Sequence, residues 1–275
     1  MKSIYWNRVL IAAAVIVTVL SAANPVRAEA TEFERLYGEL LASYWHPTVR
    51  INGVETTVFD YARMKQDTQR PDSLFNRTLQ AIELVDPGQF KEENHAKAFW
   101  INAYNLAAMR LVIDHYPVDS IRSFSISLIK YPWSKQAIRI GANRYSLQQI
   151  EKDILLAQFK DPRIVFAVSC AAVSCPDRTA EPFVAERLDE QLDTMIRRFF
   201  KNPGKGLRLD RETRTLTLSW ILKKDRHLFQ ENGQNVPGFV LPYLEQDVRN
   251  WLKAHTVTID YFDHDWTLND LAQAD

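Results

Sequence analysis

The residues able to do chemistry in this 275-residue chain gather in three short segments. The first is Ser169-Cys170-Ala171-Ala172-Val173-Ser174-Cys175-Pro176, which holds both cysteines with four residues between them. A cysteine acts as nucleophile or redox centre through its thiolate, so it needs a base or a lowered pKa. The same pair could close a structural disulfide, and so short a loop would serve local geometry more than bulk stability. A metal site with an added histidine is a third reading. Cys-x4-Cys is looser than usual zinc spacing, however, and no second ligand pair is visible.

The second segment is Phe99-Trp100-Ile101-Asn102-Ala103-Tyr104-Asn105. Asn102 and Asn105 lie three apart on one face of an apolar helical pattern, where their amides must find partners. They either pin the core or orient a ligand and stabilise an oxyanion. The third segment, Phe262 to Asp270, carries His264 and Asp265 beside Trp266. It reads either as a solvated C-terminal cap or as the source of a base. In the second case His264 or His227 would serve the thiol, with an aspartate such as Asp265 holding the ring. The candidate catalytic set is therefore Cys175, Cys170, Asn102, Asn105, His227, His264 and Asp265. No cofactor or metal is called for.

The elements that must position these residues alternate helices with hairpins. Phe33, Leu36, Tyr37, Leu40, Leu41 and Tyr44 recur at helical spacing. Asn52-Gly53 joins two short β-type runs, a strong hairpin signal. Helical patterns follow over about Asp72 to Val85 and Glu92 to Tyr116, the latter ended by Pro117. AIRIGANRYS reads as a second hairpin, and Ser146 with Gln149 has capping-box spacing. The run from Arg163 to Ser169 is nearly all apolar and reads as a buried central strand. A helix through Leu188 to Phe199 and a third hairpin from Leu207 to Leu218 come next. Ser219 is placed to cap a helix through Phe229, another helix spans about Gly238 to Lys253, and Val257, Ile259 and Tyr261 alternate as a last strand. The pattern predicts an α+β fold, with helices around a small, mostly antiparallel sheet and several hairpins; one form of it is cysteine-peptidase-like.

Residues 1–28 read as a secretory signal: Lys2 and Arg8, the apolar run Val9 to Leu20, then Val26-Arg27-Ala28. The run is short for a membrane span, so no stable span is expected after cleavage. Residues 29–275 form one expected domain. Removing the signal leaves 31 basic and 34 acidic side chains, a balance that argues against nucleic acid. The expected location is periplasmic or secreted, and the expected partner an unidentified small-molecule or peptide ligand.

At these residues the chain resembles the Domain of Unknown Function 547 family. The resemblance rests on Phe99 to Asn105, on Pro117 with Ser120-Ile121-Arg122, and on Ser146-Leu147 with Ile150-Glu151. It continues through Asp161-Pro162-Arg163-Ile164 with Phe166-Ala167, then Cys170, Ser174-Cys175-Pro176 and Asp265-Trp266 with Leu268-Asn269. It implies a widespread α/β-type domain without a settled activity. Relatives also occur within larger intracellular proteins, which favours a thiol over a disulfide as the general role of the cysteines. Many relatives carry a histidine where this chain has Val165, and an aromatic pair is replaced around Lys224-Asp225. If that histidine is the family's catalytic one, this chain is inactive or uses another residue.

Two functions remain open. A thiol-dependent hydrolase or transferase predicts a reactive cysteine in a cleft with a histidine base. A non-catalytic binding or scaffold domain predicts an oxidised Cys170–Cys175 pair with no histidine within about 4 Å of either sulfur, the limit of usable hydrogen-bond reach.

Overall fold

The computed structural model describes residues 25–129, 131–230 and 235–275. Most of the signal-like segment lies outside them. The first helix, α1 (Pro25–Tyr44), buries Phe33, Leu36, Tyr37, Leu40, Leu41 and Tyr44, the stripe expected from its periodicity. Strands β1 (Trp45–Ile51) and β2 (Val54–Phe59) form an antiparallel hairpin. Its turn puts Asn52 at φ 50° and Gly53 at φ 75°, the left-handed pair that Asn-Gly accepts with least strain.

Helices α2 (Tyr61–Asp67) and α3 (Leu74–Leu84) follow, each capped by a side chain: Asp60 accepts from the Arg63 N–H and Ser73 from the Asn76 N–H. Helix α3 packs on α1, and α2 packs against α4 (Glu93–His115), which is buried on every side from Lys97 to Met109. A helix apolar all round must be a core helix, and α4 is the axle of the molecule. Hairpin β3 (Gln136–Ile140) and β4 (Asn143–Ser146) packs against it. The capping box then forms as expected. The Gln149 amide N–H donates to Ser146 Oγ at 3.2 Å, and Gln149 Oε1 accepts from the Ser146 N–H at 2.9 Å. The helix it starts is π-wound over Gln149–Leu156 and closes through α5 (Ala157–Phe159).

The expected central strand is absent. Pro162–Phe166 is a 3-10 helix, with Asp161 accepting from the Arg163 N–H and Pro162 in its first turn. The segment is buried as its composition requires, but burial does not choose between strand and helix. Proline fixes a helical φ, and the aspartate satisfies a free N–H, so the local chemistry favours the turn.

Helix α6 (Leu188–Phe200) buries Leu192, Met195, Ile196 and Phe199. Strands β5 (Leu207–Asp210) and β6 (Thr215–Leu218) pair antiparallel in the expected hairpin. Ser219 caps α7 (Trp220–Lys224), and a 3-10 turn at Arg226–Phe229 follows. The long helix expected from Gly238 to Lys253 is two helices, α8 (Val236–Val240) and α9 (Gln246–Ala254). Pro242 lies in a 3-10 turn between them and Leu244 is extended, because proline cannot donate to a continuing helix. The last strand, β7 (Thr258–Tyr261), joins β6 in parallel. The architecture is α+β, with small sheets set around a helical core. No described helix is long and apolar enough to cross a membrane.

Candidate functional site

The segment from Ala171 to Ser174 is not held by a neighbouring strand. It is held by the C-terminal segment, laid antiparallel along it. The Val173 N–H donates to the Thr267 carbonyl at 2.9 Å, the Ser174 N–H to the Asp265 carbonyl at 3.2 Å, and the Asn269 N–H to the Ala171 carbonyl at 3.0 Å. Ser174 Oγ accepts from the Asp265 N–H at 2.9 Å. This pairing bends the chain so that Ala171 sits at φ 61°, a left-handed conformation that costs a non-glycine residue on the order of 1–2 kcal/mol. It also brings His264 to the cysteines.

Cys170 and Cys175 are joined by a disulfide, with Cα atoms 6.3 Å apart. Both sulfurs and a His264 ring nitrogen lie within 4.8 Å of one another. Both nitrogens of that ring are buried, and neither has a hydrogen-bond partner. Burial, then the charge of Lys224, push the His264 pKa down to about 4, so the ring is neutral at ordinary pH. Were the disulfide reduced, two sulfurs and this nitrogen would be the donor set able to hold a soft metal ion.

These groups open on a cavity of about 490 Å³, within the range of small-molecule sites. Its walls are aromatic. Trp266 packs on His264 at 4.1 Å and edge-on against Trp133 at 5.5 Å, and Trp220 lies 5.0 Å from His264. The guanidinium of Arg122 sits 4.7 Å over the Trp266 ring. Part of the lining is ionic. Lys152 lies 3.2 Å from both Glu151 and Asp225, and Lys224 lies 3.3 Å from Asp225. Burial alone would lower the Lys152 pKa, but the two carboxylates outweigh it and raise it. Glu151 and Lys152 both come from the π-wound turn, a geometry often found at functional sites.

The asparagines face elsewhere. Asn102 Nδ2 donates to the Phe183 carbonyl at 2.8 Å while its Oδ1 accepts from the Phe183 N–H at 3.0 Å. Asn105 does the same to the Ala167 carbonyl and the Ser169 N–H. Both border a hollow of only about 10 Å³, too small for a guest. It is Tyr104, between them in sequence, that reaches the cavity, where its hydroxyl donates to Glu151 at 3.4 Å. His227 is exposed and does not line the cavity. The Asp265 carboxylate accepts from Asn52 and from the Thr267 N–H rather than from His264. Burial pushes its pKa up, but those hydrogen bonds outweigh burial and hold it low. The C-terminal segment is no solvated cap: Leu268, Asn269 and Asp270 are buried.

Of the seven candidates, the structure thus brings together Cys170, Cys175 and His264. The residues that sequence reasoning missed are Trp133, Trp220, Glu151 and Lys152. A lysine-acid pair inside a half-apolar turn was the one available signal. Val165 and Lys224-Asp225, where the sequence departs from its resemblance, all line the cavity.

No curated protein and no solved structure matches the chain. Residues 88–200 match the family described as "Protein of unknown function, DUF547", a span that runs from the approach to α4 through both cysteines to the end of α6. Over that segment, the chain is similar to the DUF547 family.

Proposed function

We propose that this protein is a thiol-dependent hydrolase or transferase of the cell envelope whose reactive cysteine is released by reduction of the Cys170–Cys175 disulfide. The observation that carries the reading is His264: a neutral ring with both nitrogens unpartnered, facing both sulfurs at the floor of an aromatic cavity. A buried polar group without a partner is rare and calls for an explanation.

A dithiol reductant supplies two electrons and two protons, opening the disulfide to two thiols and leaving as a disulfide itself. His264 then takes one thiol proton, and the thiolate attacks an acyl carbon of the guest. The imidazolium returns the proton to the leaving group, and water or a second acceptor takes the acyl group from sulfur. The thiolate's own charge favours the imidazolium, so the ring's basicity rises in the state that needs it. Arg122, Lys152 and Lys224 supply positive charge around the same space. The signal-like N-terminus and the disulfide together support a periplasmic or secreted location.

The test is alkylation of reduced protein by iodoacetamide at pH 6, where an ordinary thiol is almost fully protonated. We expect one of Cys170 or Cys175 to react at least tenfold faster than free cysteine, and His264→Asn to remove that advantage. Two thiols of ordinary reactivity, unaffected by His264→Asn, would overturn the reading. In that case the second reading takes over. There the cavity is a binding site and the disulfide only shapes its floor, as the bonded sulfurs themselves favour.

A further inference from the structure

Large apolar side chains standing in solvent are unevenly distributed. Among the described residues they are Leu84, Phe124, Leu128, Ile129 and Tyr131, and all but Leu84 fall between positions 124 and 131. Leu128 is 82 % exposed and Ile129 79 %. The loop is built to hold them out. Ile121 and Ile126 are buried beneath it, and Ser127 Oγ accepts from the Tyr131 N–H at 3.2 Å. Two adjacent branched aliphatics raised on an anchored turn are not scattered surface residues of the ordinary kind.

Along the sequence, the charge of this stretch is as uneven. From Ser120 to Ile150 the sequence has five bases, Arg122, Lys130, Lys135, Arg139 and Arg144, and no acid, in a chain whose acids and bases are equal in number overall. Lys135, Arg139 and Arg144 are exposed. Tyr131 and Trp133, side chains suited to the boundary between water and lipid, lie in sequence between the apolar tip and Lys135, Arg139 and Arg144.

We propose that the loop from Ser123 to Ile129 docks this protein onto an anionic lipid bilayer, with Leu128 and Ile129 entering the headgroup region and the bases that follow in the sequence meeting the lipid charge. Apolar tip, interfacial aromatics and basic flank are the three parts such a contact needs. A second copy of the chain is the poorer occupant, because pairing like patches would set base against base. Tyr131 and Trp133 also line the cavity. Docking therefore brings the cavity to the lipid surface; joined to the thiol reading, on which this clause alone rests, it makes the acyl substrate a lipid or a lipid-anchored molecule.

The experiment places an environment-sensitive dye on the loop through Ile129→Cys in the oxidised protein, where Cys170 and Cys175 are paired with each other. The signal is local to the tip, so the N-terminal apolar run does not enter it. Vesicles of phosphatidylglycerol and phosphatidylcholine should shift the dye emission to the blue. Pure phosphatidylcholine, 0.5 M salt, or adding Leu128→Ser should each weaken the apparent affinity at least tenfold. No shift on anionic vesicles, or the same shift on neutral ones, would overturn the proposal. So would a shift that grows with protein concentration in the absence of lipid, which would assign the patch to self-association.

Discussion

Asn105 holds Ser169, the residue next to Cys170, by accepting its backbone N–H at 3.0 Å, while its amide nitrogen donates to the Ala167 carbonyl at 2.9 Å. One side chain thus does for this stretch what an adjacent β-strand would do, satisfying a donor and an acceptor two residues apart. This explains how the buried stretch from Ala167 to Ser169, beyond the 3-10 turn, can run through the core without a sheet to receive it. It also fixes the entry to the disulfide loop from the side away from the cavity.

Asn105→Ala should therefore destabilise the fold instead of merely silencing a site. It leaves the Ala167 carbonyl and the Ser169 N–H buried and unpaired, at about 1–3 kcal/mol each. The expected loss is about 2–5 kcal/mol, read as a lower urea midpoint. Asn102→Ala should lose a similar amount through Phe183. A variant with unchanged stability and lost activity would instead return the amide to a catalytic role.

The His264 ring predicts a pH dependence of stability. Above pH ~6.5 the imidazole is neutral in both folded and unfolded chains and makes no difference between them. As pH falls, the unfolded chain takes up a proton that the folded one refuses until about pH 4. Stability tied to this group is thus complete above pH ~6.5 and declines as the pH drops toward the folded value, by about 3 kcal/mol in all. Urea unfolding at pH 7 and pH 4.5 measures it. His264→Asn should flatten most of the difference, and an equal slope in both proteins would show that the ring is not desolvated.

Much of the fold was legible because its signals are local. The Asn52-Gly53 turn, the Ser146–Gln149 box and the stripe on α1 each depend on residues within one or two turns of each other. What stayed hidden was long-range. Nothing in residues 167–169 announces that Asn105 will bond their backbone. Nothing in Thr267 or Asp265 announces that their carbonyls will receive Val173 and Ser174. The convergence of His264 on the cysteines follows from that pairing of two irregular segments, which has no periodicity to read. The family match ends at residue 200 and does not reach His264.

Gly206 is a position where one methyl group should be decisive. A Cβ there would stand 1.7 Å from the Phe199 carbonyl oxygen, a backbone atom of α6 that cannot turn aside. Gly206→Ala should force α6 and β5 apart and cost more than about 3 kcal/mol, at the severe end for a single substitution. The measurement is a thermal or urea midpoint, and a variant within about 0.5 kcal/mol of the parent would mean that the turn can relax.

Lys205 offers the most direct route to the disulfide loop without touching the cavity. Its side chain is fully buried, and its ammonium donates to Asp177 at 2.8 Å, to Thr56 at 2.9 Å and to the Val173 carbonyl at 3.0 Å. Burial pushes the Asp177 carboxyl up, but the Lys205 charge and the Thr57 N–H outweigh it and hold it below the usual range. Lys205→Met removes the charge and strands the carboxylate, a change that costs about 3–5 kcal/mol in buried pairs. It also frees the Val173 carbonyl, so the disulfide loop should loosen first. Pairing Lys205→Met with Asp177→Leu should recover part of the global stability, because the stranded charge is gone although the Thr57 N–H loses its acceptor, yet leave Val173 unheld. Hydrogen exchange at Val173 and Ser174 separates the two effects. Protection there should stay low in the double variant while the urea midpoint recovers in part, and recovery of both together would show that Lys205 does not position the loop.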